Sequence, residues 1–313
     1  MSVTLYQTIL TKADAGFISF ISSTSASVAG SIKPVATTLL MIYVMLWGWS
    51  MMRGVIEEPI TDGVTRIVRL SIIVAIAISI GHYSGYVADW IWQTPDALAS
   101  TITGQNSSSS IQFLDNLLDK YFKTAAKYLE AANENSSYGI PDLNLFFCGI
   151  LIYVFAVLVT SYGAFLLFLA KMALAILLGV GPIFILLAIF ESTKKFLDAW
   201  IGQVCNYVFL VMLAAAVCKL ILVFLEQYIG NVKPNATGDL GVADAVQLIA
   251  LSAIGFLVLM QVPTIASALG GGAAISTLGA AGAAWSKIKG ATATTARGAK
   301  NLLSGKTLAD MRQ

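Results

Sequence analysis

The chain has 313 residues, 57% hydrophobic and 12% charged, with a formal net charge of +2. A soluble domain carries about 25% charged residues, so an ordinary globular surface is excluded. Three cysteines, Cys148, Cys205 and Cys218, fall in apolar stretches with no Cys-x-x-Cys pair, which argues against a disulfide framework or a zinc site.

The first element, residues 1–33, carries Leu5, Ile9, Phe17 and Phe20 at helical spacing and predicts a short amphipathic helix. No basic cluster followed by an apolar run and a small-residue cleavage site is present there, so no cleaved signal peptide is expected. Residues 34–92 hold the first two predicted spans. The first runs from Pro34 to Met52; Pro34 suits a first helical turn, where its missing N–H costs nothing. Trp47 and Trp49 followed by Arg53 resemble an aromatic belt and its basic flank. The second runs from Ile67 to Trp92 and ends in Tyr83, Tyr86, Trp90 and Trp92, suited to the opposite interface.

Residues 93–144 form a hydrophilic segment, opened by Pro95 and closed by Gly139-Ile-Pro141. Within it, Ile111 to Ala132 predicts an amphipathic helix. Leu114, Leu117, Leu118, Tyr121, Ala125, Tyr128 and Leu129 fall on one stripe; Asp115, Asp119, Lys123 and Lys127 fall off it. Leu114, Leu118, Tyr121 and Leu129 are the candidate surface for docking a partner, with packing on the same subunit as the alternative.

Residues 145–269 form the predicted membrane core. Leu145 to Phe190 is apolar but for one charge, Lys171. A helix needs about twenty apolar residues to cross a hydrocarbon layer ~30 Å thick, and this block is twice that. No Gly or Pro near Lys171 reverses the chain, so one long helix from Leu145 to Leu178 is expected, tilted or protruding, with Lys171 at the interface. Gly179, Gly181 and Pro182 are the candidate helix break, and Ile183 to Phe190 a short apolar return that does not span. Two further spans follow, Trp200 to Leu225 and Val246 to Ala268. Trp200, Trp47 and Trp90 are the candidate interface anchors.

Residues 270–313 are rich in Gly, Ala, Ser and Thr, and the basic residues Lys287, Lys289, Arg297 and Lys300 are expected to touch lipid or substrate from the cytoplasm. The resulting expectation is an all-α polytopic membrane protein with about five spans, a periplasmic N-terminus and cytoplasmic Arg53, Arg66, Arg69, Lys194 and Lys195.

Chemistry is sparse. The only histidine, His82, stands near Asp89 in sequence, the best transporter-like pair in the chain. Gly81 and Gly85 form one Gly-x-x-x-Gly, a spacing that lets helices approach. Gly305-Lys306-Thr307 resembles the end of a phosphate loop, but Lys300 stands where the first glycine is required. No nucleophile–base pair, metal-ligand cluster or cofactor motif is present, and no enzyme activity, metal or cofactor is expected.

Two segments carry a family resemblance. Gly181-Pro182 after a long apolar helix, the run to Phe190, the polar turn Glu191–Lys195, then Trp200 and Gln203 resemble the central signature of the TrbL family. Pro263-Thr-Ile-Ala266 with Gly270-Gly271 resembles a second segment of it. These are polytopic inner-membrane subunits of VirB-type type IV secretion systems. The resemblance implies a platform or channel component in the bacterial inner membrane, supporting pilus assembly and passage of DNA or protein. It implies a homo-oligomeric ring that contacts minor and major pilins, scaffold subunits, lipid and, transiently, substrate, with no cofactor. The alternative from the residues alone is a small-solute channel or secondary transporter.

Overall fold

The computed structural model describes residues 4–54, 60–104, 112–134, 142–231 and 242–271. Within the unit Met1–Ala273 the described elements are helical: α1 (Leu5–Met52), α2 (Ile60–Ile78), α3 (Ile80–His82), a π-helical turn (Tyr83–Ala88) and α4 (Asp89–Thr103), followed by α5 (Gln112–Glu134), α6 (Leu143–Leu186), a 3-10 turn (Leu187–Ile189), α7 (Lys194–Asn231) and α8 (Val242–Gly270). Four helices, α1, α6, α7 and α8, are long and apolar enough to cross a membrane, and the bent pair around Ser79 makes a fifth if counted as one span. The polytopic all-α expectation holds.

The predicted N-terminal segment and first span are one helix. Pro34 lies inside α1 rather than in its first turn. Its missing N–H costs the carbonyl of Gly30, four residues earlier, its helical donor, a defect that apolar helices tolerate when neighbouring groups adjust. The expected apolar face is also displaced: Leu5, Ile9 and Phe20 are exposed, whereas Tyr6, Leu10, Ile21 and Ala29 are buried.

The predicted second span is broken. Its two arms, Gly63–Ile78 and Tyr83–Ile102, meet at 89°. Ser79 leaves the helix, and its carbonyl accepts from both His82 N (3.1 Å) and Tyr83 N (2.9 Å). The wider turn that follows takes one extra residue per hydrogen bond and shifts the side-chain register, turning Tyr83 into the core, where it is 1% exposed. Pro95 does not open a loop; it lies inside α4, which ends at Gly104, a left-handed residue at φ +66°.

The amphipathic helix forms where expected, as α5. Its stripe faces α6: an added Cβ on Gly163 would touch Leu114, and one on Gly149 would touch Leu129. α5 therefore runs antiparallel along the first half of α6. Asp115, expected off the stripe, is 5% exposed. Its two carboxylate oxygens accept from Tyr6 N (2.9 Å) and Gln7 N (3.0 Å), the first-turn amides of α1. A carboxylate suits a helix N-terminus because those N–H groups have no partner inside the helix. Tyr6 then reaches Thr160 Oγ1 at 3.0 Å on α6, and Tyr121 reaches Ser252 Oγ at 2.7 Å on α8.

The long apolar block is a single helix, as expected. Asp142 caps it by accepting from Asn144 N at 2.9 Å. At 1.5 Å per residue its 44 residues extend about 66 Å, twice the hydrocarbon thickness. It does not stop at Gly179-Val-Gly-Pro182. It runs through Pro182 to Leu186, so the expected return, Ile183 to Phe190, is its last turn and the 3-10 turn. The stop lies in the polar residues beyond: Thr193 Oγ1 donates to Leu187 O at 2.6 Å, and Thr193 N and Lys194 N donate to Phe190 O. α7 and α8 contain the last two predicted spans, α7 extending beyond them by six residues at each end and α8 by four and two. They pack backbone to backbone: a Cβ on Gly270 would strike the backbone of Asn206, and one on Gly202 would lie 3.0 Å from Gly270 O.

Candidate functional site

Two arrangements fix α1, the bent span and α7 to the second half of α6. The first is built on the glycine–proline segment. Pro182 has no N–H, so the carbonyl four residues earlier, Leu178 O, loses its helical donor. A buried orphan carbonyl is costly. The Tyr83 hydroxyl, delivered by the π-helical turn, donates to that carbonyl. One residue earlier, Leu177 O accepts from Trp200 Nε1 at 3.0 Å. Gly181 makes room: a Cβ there would collide with the Tyr83 hydroxyl and lie 3.1 Å from the Trp200 ring. Trp200 also stacks on Phe184, with centroids 6.1 Å apart and planes at 16°. Gly179 admits α1, since a Cβ there would stand 3.2 Å from Thr24 Cγ2.

Gly179, Gly181, Pro182 and Trp200 thus come together, but not in the roles expected of them. The first three form a notch in a continuing helix rather than a break. Trp200 is 5% exposed; it is a buried strut rather than an interface anchor, because its indole N–H has a backbone partner inside the fold.

The second arrangement is ionic. Lys171, expected at the interface, is 4% exposed. Its ammonium lies 2.9 Å from Asp14 Oδ2 on α1 and 3.0 Å from Asp96 Oδ2 on α4. The Trp92 ring covers it at 5.5 Å. An isolated charge cannot stay in an apolar interior unless paired, and here two helices each supply a carboxylate. The cluster carries two acids and one base, so it is a point where α1, α4 and α6 are held together electrostatically. Neither Asp14 nor Asp96 was singled out from the sequence. A signal exists: Asp14 follows the buried Leu10 by four residues, and Asp96 follows Trp92 by four, placing each on its helix's packed face.

The remaining predicted residues are dispersed. Leu114, Leu118 and Tyr121 are buried within the chain and Leu129 is half-buried against Gly149, so the candidate docking stripe is occupied by the chain's own α6. Trp47 packs against Gly63 of α2, while Trp90 is 69% exposed. Lys287, Lys289, Arg297 and Lys300 lie outside the described residues. His82 is exposed and stacks on Tyr86 at 6.0 Å. Gly81 and Gly85 face open space. Among the described residues no group of three His, Cys, Asp or Glu side chains is placed to hold a metal ion.

The chain resembles known proteins over most of its length. The family profile described as TrbL/VirB6 plasmid conjugal transfer protein matches residues 40–262. The type IV secretion system protein VirB6 of Bartonella quintana (strain Toulouse) is 26% identical over 256 residues, covering 80% of this chain and 74% of that protein. VirB6 of Brucella suis biovar 1 is 28% identical over 202 residues, 61% of this chain and 57% of that protein. Protein VirB6 of Agrobacterium fabrum is 24% identical over 251 residues, 77% and 83% respectively.

Proposed function

Because the chain belongs to the TrbL/VirB6 family of conjugal transfer proteins, we propose that it is the polytopic inner-membrane platform of a type IV secretion system. In that role it supports pilus assembly and the passage of DNA or protein substrate. The observation that carries the reading is the family match over residues 40–262, the stretch that contains Tyr83, Asp96, Lys171, Pro182 and Trp200. The platform works as a homo-oligomer in contact with minor and major pilins and scaffold subunits. The best feature for a solute carrier, the His82–Asp89 pair, gains no support, since His82 stacks on Tyr86.

The orientation has support from geometry. α5 lies against the first half of α6, up to Gly163, and the basic turn at Lys194 and Lys195 follows the other end. The 23 residues between Gly163 and Leu186 rise about 35 Å, enough to cross the hydrocarbon. α5 then stands in the periplasm and the Lys194 turn in the cytoplasm, the side where basic flanks are retained.

Deletion and labelling test the reading together. A donor strain lacking this chain loses conjugal transfer or effector export and regains it with the full chain. Single cysteines at positions 107–110 react with an impermeant maleimide in intact spheroplasts; one at Lys194 reacts only after permeabilisation. Unimpaired transfer without the chain refutes the function, and labelling of both sites from one side refutes the orientation.

A further inference from the structure

A cleft of about 500 Å³ opens where the α6–α7 turn meets α1 and α2. Its volume falls within the roughly 300–1,000 Å³ usual for small-molecule sites. Its rim carries three cations, Arg66 and Arg69 from α2 and Lys194 from the start of α7, against one carboxylate, Glu191. Its floor is apolar: Leu70 and Ile189 are buried at 4% and 7% exposure, and Tyr43 meets Phe190 edge-on at 6.2 Å. Beside it, Val68 and Ile72 on α2 and Phe196 on α7 remain exposed. Cationic rim, apolar floor and greasy flanks together match an amphiphile with an anionic head.

We propose that this cleft binds the phosphate-bearing headgroup of an anionic lipid, with the acyl chains along the exposed faces of α2 and α7. Arg69 and Lys194 converge on it from two different elements, so occupancy pins the α6–α7 turn to α2. A soluble phosphate gains nothing from the floor. A nucleic-acid backbone would need a cationic track beyond the cleft, whereas the next lysine, Lys195, places its ammonium over the Phe196 ring at 5.5 Å and is not among the lining residues.

The test uses the full chain purified in detergent and exposed to mixed phosphatidylglycerol and phosphatidylcholine, with bound lipid read by native mass spectrometry. The wild type retains phosphatidylglycerol selectively. At about 1 kcal/mol per basic residue near an anionic lipid, the Arg69→Gln/Lys194→Gln pair weakens retention roughly thirty-fold. Arg69→Lys and the control Lys195→Gln keep it. All three substituted positions are exposed, and unchanged thermal unfolding in detergent certifies each fold. Equal retention by the double variant, or equal retention of the two lipids, overturns the proposal. So does displacement of the bound lipid by millimolar inorganic phosphate, or variant-sensitive capture of a single-stranded oligonucleotide with lipid retention unaltered. None of these outcomes bears on whether the chain serves in secretion.

Discussion

Replacing Lys171 by methionine removes the cation that bridges Asp14 and Asp96 while keeping an unbranched chain of similar volume. The two carboxylates then face each other across the site vacated by their shared partner. Removing one member of a fully buried pair costs about 3–5 kcal/mol. Here the Asp14 side chain is 24% exposed and that of Asp96 38%, against 5% for Lys171. Solvent screens the acids in part, so the lower end, about 3 kcal/mol, is expected. By the usual scaling for larger chains this lowers the unfolding midpoint by about 6 °C or more. Thermal unfolding of the purified protein in detergent measures it. Lys171→Arg should lose about 1 kcal/mol or less, since it keeps the charge. The decisive comparison is the triple variant Lys171→Met, Asp14→Asn, Asp96→Asn. An intact ion cluster is weak evidence for stability and a broken one is strongly destabilising, so the triple variant should recover most of the single variant's loss. If Lys171→Met unfolds with the wild type, or the triple variant is no better than the single, the cluster does not hold these helices.

The proline notch makes a sharper, background-dependent prediction. Tyr83→Phe leaves Leu178 O without its donor and costs about 1–3 kcal/mol; in a Pro182→Ala background, where residue 182 regains an N–H for that carbonyl, the same change should cost clearly less, and an equal cost in both backgrounds would refute the pairing. Asp115→Asn should destabilise by about 0.5–2 kcal/mol, the range for a helix N-cap, and should speed hydrogen exchange at Tyr6 and Gln7 selectively; uniform exchange along α1 would show that Asp115 does not cap it.

Much of the fold was legible because membrane residence imposes simple rules. Span lengths follow from bilayer thickness, and α5, α7 and α8 lie where periodicity and hydropathy put them. The lack of a breaker around Lys171 correctly argued for one long α6. The errors share one cause. Pro34, Pro95 and Pro182 were each read as helix boundaries, and each lies inside a helix. In water that reading is sound, because proline forfeits a hydrogen bond and clashes with the preceding turn. Inside an apolar bundle a neighbouring side chain can fill the gap, as Tyr83 does for Pro182. Conversely the true break at Ser79 carries no proline at all.

The site was less legible for a different reason. Lys171 lies 157 residues from Asp14 and 75 from Asp96, so no local window contains the cluster. A lone lysine in an apolar run fits equally an interface residue that snorkels and a buried one that is paired; only the tertiary arrangement distinguishes them. The resemblance on Gly181–Gln203 lies at the notch, where Gly181 abuts Tyr83 and Trp200 bonds to Leu177 O. What those residues do follows from a chain of necessities. Pro182 orphans a carbonyl, the carbonyl draws Tyr83, Tyr83 needs Gly181 for clearance, and the π-helical turn exists to bring Tyr83 there. The bend in the second span is what lets one segment make both contacts: the turn at Tyr83 reaches Leu178 O, and α4 beyond it carries Asp96 to Lys171. The notch and the ion cluster therefore tie the same bent span to α6 at two points, Leu178 and Lys171.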